Sequence, residues 1–150
     1  MTKKIILWIL VIFWMGLIFW FSSFNGIDST RQSRGFLHDT LGKIIDVIKP
    51  SMSEYDKEIL IEKLDTPVRK MAHASVFFIL AVFVCLLVKT YNVNRLYLIS
   101  FIVCFLYAIS DEVHQIFVSE RSAQVLDVFI DSSGSLLALL FMNFINNRKK

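Results

Sequence analysis

Chemistry-bearing side chains gather at three places in this chain. Arg69, Lys70 and His73 lie within five residues of one another. Asp111, Glu112, His114 and Gln115 form a second group, with Arg121 just beyond, and Asp127 and Asp131 form a third. Imidazoles with carboxylates are ligands for a divalent metal, and they serve equally as general acid and base, because histidine titrates near neutrality. Arg69, Lys70 and Arg121 could hold a phosphate or a carboxylate, arginine being suited to two-point contact. These residue types leave the metal question open and name no cofactor.

The elements that must position these groups are apolar. Hydrophobic residues make up 55% of the 150, with 14 Phe, 3 Trp and 4 Tyr. A soluble domain of this size has too little interior for so many, so a lipid bilayer must contact much of the surface. Four stretches, about 5–21, 68–88, 96–118 and 125–145, approach the ~20 residues needed to cross a hydrocarbon core. The third is a span only if its helix runs through Ser110 to Gln115. The first is longer than a signal-peptide core, and no small-x-small site follows it, so it is expected to stay as a membrane helix. The fold expected is an all-α membrane protein, one domain over 1–150, with four transmembrane helices.

Lysine and arginine set the orientation. Lys3 and Lys4 open the chain, Arg148, Lys149 and Lys150 close it, and Lys89 and Arg95 flank the turn between spans two and three. Both termini are therefore expected in the cytoplasm of a multi-pass protein of the cell membrane. The external segment 22–66 should contain short amphipathic helices: one on Phe36, Leu37, Leu41, Ile44, Ile45 and Ile48, stopped by Pro50, and a second capped by Ser53. Thr66-Pro67 has the form of a cap and first position for span two. His38 belongs to the interfacial stretch. No basic run interleaves with aromatics, which argues against a nucleic-acid partner. Cys85 and Cys104 sit inside apolar runs, as small hydrophobes do.

With this topology the three polar groups lie at one level, near the external interface. Ionisable side chains within a span normally face the bundle interior or a wet cavity. At about 100° per residue, Tyr107, Asp111, His114, Gln115 and Arg121 share an arc of span three, and Glu112 points away from it. Asp127 and Asp131 share a face of span four that continues inward through Gly134 and Ala138, small enough for a neighbouring helix to come close. Lys70, His73, Ala74, Phe77 and Ala81 share a face of span two. One site is the expectation, centred on His73, Asp111, His114 and Asp127. Arg69, Lys70, Gln115 and Arg121 serve as binding groups and Asp131 supports them. If the chain is an enzyme, which residue types alone leave open, His114 or His73 is the general base. The bland alternative is an interaction protein whose polar cluster only holds the helices together, with Lys70 reaching up to the interface.

The run Arg69-Lys70-Met71-Ala72-His73, then Ser110 to Val118 with its Asp-Glu-x-His-Gln core, then Arg121, resembles the VanZ-like membrane proteins. Asp127-Val128 with Asp131, Ser132, Ser133 and Gly134 extends the likeness, as does Phe21-Ser22-Ser23. Asp131 stands where that family more often has Asn, and Ala138 where a second Gly is common. The resemblance implies a role at the bacterial cell envelope, since founding members are associated with reduced susceptibility to the glycopeptide teicoplanin. The partner it suggests is a lipid-linked cell-wall precursor or an anionic lipid headgroup.

Overall fold

A computed structural model describes residues 2–24, 35, 38–40, 42–119 and 124–148. Arg121 and residues 36, 37 and 41 of the expected amphipathic stretch lie outside the described residues. Four long helices dominate: α1 (Thr2–Ser22), α2 (Glu54–Lys89), α3 (Leu96–Gln115) and α4 (Val125–Asn147). Each is long and apolar enough to cross a membrane. The chain runs up and down, with the end of α3 against α2 and α4, and α1 packed on α2 and α3 alone among the four helices. The turn between α2 and α3 uses Asn92 at φ 52°, a left-handed conformation that asparagine tolerates well.

Two boundaries differ from the sequence expectation. Helix α2 begins at Glu54 behind Ser53, whose side chain accepts from the Asp56 backbone N–H, and it continues unbroken to Lys89. Pro67 lies inside this helix, so the second short amphipathic helix is the first part of α2. Proline removes one backbone donor, and neighbouring packing outweighs that loss here. Helix α3 does carry through Ser110 to Gln115, but ends there, leaving Phe117 82% exposed. Between α1 and α2, the described residues 35, 38–40 and 42–48 are helical. Lys57 of α2 ties that part down through its ion pair with Asp46 and is itself held by Glu54 within α2 at 2.7 Å.

The core follows the small-residue faces. Phe77, Leu80, Ala81, Val84 and Cys85 of α2 pack with Cys104 and Ala108 of α3 and with Ala138 and Leu139 of α4. Outward-facing Ile9, Ile12, Phe13, Leu106, Phe129, Leu137 and Phe141 stay exposed, as lipid-facing side chains do. Both cysteines are free and buried.

The broadest contact joins α2 and α4, and one position governs it. A Cβ built on Gly134 would stand 2.1 Å from the Ala74 carbonyl oxygen and 2.8 Å from its carbon. Those atoms are backbone and cannot rotate aside. Only glycine allows the two helices this separation. By contrast, a Cβ on Gly16 of α1 meets nothing within 4 Å. Gly134→Ala should therefore lower the thermal midpoint of the detergent-solubilised protein, by the equivalent of about 1–3 kcal/mol. Gly16→Ala should leave that midpoint unchanged or slightly raised.

Candidate functional site

The Ala74–Gly134 contact also assembles the polar site. His73 precedes Ala74, and Asp131 lies three residues before Gly134, on the same face of α4. Asp111 comes in from α3. One ligand atom from each of His73, Asp111 and Asp131 lies within 4.8 Å of the other two. Asp111 is 2% exposed and Asp131 3%, and His73 is half-buried.

Asp111 is held from one side. Its Oδ2 accepts from Ser22 Oγ at 2.8 Å and from Gln115 Nε2 at 3.2 Å. Its Oδ1 has no hydrogen-bond partner among the described residues, and neither does Asp131 Oδ1 or Ser132 Oγ, all three buried. Buried polar atoms nearly always find partners, so this cluster of exceptions calls for an explanation.

His114 engages the end of α1. Its ring stacks on Phe19 with centroids 3.9 Å apart, and its Nε2 lies 3.0 Å from Ser23 Oγ. The Ser23 hydroxyl also reaches the Phe19 carbonyl at 2.7 Å, so His114, Ser23 and the last turn of α1 form one polar contact. Asp127 pairs with Lys70 at 2.6 Å in a partly exposed position, one turn nearer the helix end than Asp131. Arg69 is half-buried at the same end.

The carboxylate of Glu112, on the opposite arc of α3, is 6% exposed as a residue. Its Oε1 accepts from the backbone N–H of Gln124 at 2.5 Å. Gln124 is the N-cap residue of α4, so Glu112 does from a neighbouring helix what the third residue of a capping box does within one. Its negative charge also sits at a helix N-terminus, where it is favourable.

The structure thus brings together His73, Asp111 and Asp131 and joins Gln115 to them. It seats Lys70 with Asp127 and His114 with Ser23. Asp131, expected in a supporting place, stands at the centre, while Asp127 stands at the rim. Ser22, Ser132 and Ala74 were not among the sequence candidates. A serine pair at the end of a span carried the only signal for Ser22, because a buried hydroxyl there can reach a carboxylate on another helix.

A bundle of four membrane-length helices around a buried polar cluster is a multi-pass membrane protein. The VanZ/LLP1 family matches residues 7–146, nearly the whole chain, and the chain belongs to that family. The comparisons with curated proteins and with solved structures gave no match.

Because Ser22 is fully buried and supplies one of the two donors to Asp111 among the described residues, Ser22→Ala should destabilise the fold by about 1–3 kcal/mol. Ser23, whose exposed hydroxyl can be replaced by water, should cost well under half of that when changed to Ala. Unfolding of both variants in mixed detergent micelles measures the difference.

Proposed function

We propose that this VanZ-family protein presents its polar cluster at the outer face of the cell membrane, where it binds or modifies an envelope lipid or a lipid-linked cell-wall precursor. The observation that carries this reading is the pair of unpartnered buried carboxylate oxygens, on Asp111 and Asp131, beside His73. A cluster that only joined helices would use its acceptors on partner helices. This one leaves acceptors unused at the point where three helices converge.

Part of the charge distribution supports the orientation: Lys3, Lys4, Lys89, Arg95 and Arg148 lie at the opposite end of the bundle, as on a cytoplasmic face, while Arg69 and Lys70 run against that bias. Lys70 and Arg69 stand beside the cluster and suit an anionic group such as a phosphate. In the family context, the expected cellular effect is lowered susceptibility to teicoplanin. Asp111 and His73 form the reactive centre of this reading, with Lys70, Arg69 and Arg121 as anion contacts.

Two measurements test it. In cells lacking other copies, Asp131→Asn and His73→Gln should abolish the protein's effect on teicoplanin susceptibility while membrane levels stay normal. An unchanged effect sinks the site, and loss of the protein itself favours the helix-joining alternative. For orientation, Phe117→Cys should react in intact cells with a membrane-impermeant maleimide and Asn147→Cys should not, the native cysteines being buried.

A further inference from the structure

We infer that His73, Asp111 and Asp131 form a binding site for one divalent transition-metal ion, with zinc the best match to the donor set. The inference deepens the proposed function, since it concerns the same cluster, but it rests on geometry that stands without any cellular phenotype.

The first argument is donor type. One imidazole nitrogen and two carboxylate oxygens are ligands that zinc takes in sites with three protein ligands, where a water or substrate atom completes the tetrahedron. An all-oxygen set would have pointed to magnesium or calcium, and a thiolate set to a closed structural site. Here the thiols of Cys85 and Cys104 lie elsewhere in the apolar core.

The second argument is distance. A tetrahedral zinc with bonds of about 2.0–2.2 Å holds its ligand atoms roughly 3.3–3.5 Å apart. The three atoms already lie within 4.8 Å of one another. The remaining difference is about 1.5 Å, the scale on which a side-chain rotation moves a terminal atom.

The third argument is what each carboxylate is doing. Asp111 Oδ2 is occupied by Ser22 and Gln115, and Oδ1 is unpartnered. That division is characteristic of a metal-binding carboxylate, whose outer oxygen is oriented by hydrogen bonds so that the inner one faces the ion. Asp131 Oδ1 is likewise unpartnered, on a residue 3% exposed. Two buried carboxylates a few ångströms apart repel each other strongly at low dielectric. Lys70 is committed to Asp127. A dication neutralises the Asp111–Asp131 pair in full.

The test uses full-length protein purified in detergent without chelator. Elemental analysis should find about one zinc per chain after equilibration with zinc and removal of excess. Zinc should also raise the thermal midpoint, and EDTA should reverse the rise. Asp131→Asn and His73→Gln, which keep size and polarity, should each lose the bound zinc and the zinc-dependent shift while retaining the midpoint of the metal-free wild type. Wild-type protein that is folded yet holds no zinc and shows no shift overturns the inference. So does zinc retained by the double variant Asp131→Asn/His73→Gln, which would assign the ion elsewhere, such as the cleft lined by His38, Asp46 and Glu54. If the metal is absent while the same substitutions still remove the teicoplanin effect, the site stands and its metal does not. Metal bound without any cellular effect separates the two claims the other way.

Discussion

The contact between the Ala74 carbonyl and the bare α-carbon of Gly134 is the constraint on which the rest of the molecule depends. It fixes how near α2 and α4 approach and, through that, the distance between His73 and Asp131. Lipid tails give apolar side chains almost as good a solvent as another helix does, so burial alone drives helix pairing weakly in a membrane. Close backbone approach and interhelical hydrogen bonds do more. The Ser135 hydroxyl, reaching toward the Phe77 carbonyl at 3.4 Å, lies one turn further along the same seam. The site and the tightest packing in the bundle are therefore one piece of architecture.

Charge is graded with depth at this end of the bundle. At the rim, Lys70 and Asp127 satisfy each other in a partly exposed pair. Glu112 is spent on the start of α4. One turn further in, Asp111 and Asp131 are buried, and one oxygen of each has no hydrogen-bond partner among the described residues. The same residue types are thus fully paired at the rim and only partly paired in the interior.

Much of this organisation was legible in the sequence, and the exceptions have physical causes. Apolar length revealed the four helices, and helical periodicity put Ala74, Phe77 and Ala81 on one face and Gly134 and Ala138 on another. The same periodicity could not rank Asp127 against Asp131, because residues four apart share a face and differ only in depth. Depth is decided by where the neighbouring helix comes close, a tertiary fact. Pro67 has the local form of a helix start, and only the packing of the preceding turns shows the helix running through it. Glu112 faces away from the arc of Asp111, and its use as a cap for α4 depends on the path of a loop that periodicity does not describe.

Helix α1 is joined to the bundle differently from the others. Trp8 donates to the Tyr91 hydroxyl, Trp14 to the Val76 carbonyl, and Tyr107 donates to the Met15 carbonyl. Ser22 completes the series at Asp111. Along the axis these attachments span about 21 Å at 1.5 Å per residue, some two-thirds of the ~30 Å depth of a hydrocarbon core. Each is directional, and together they engage three heights, Trp14 and Met15 sharing the middle one, so α1 behaves like a key cut at three depths. It can neither roll nor slide by a residue without losing several at once, although much of its surface faces lipid.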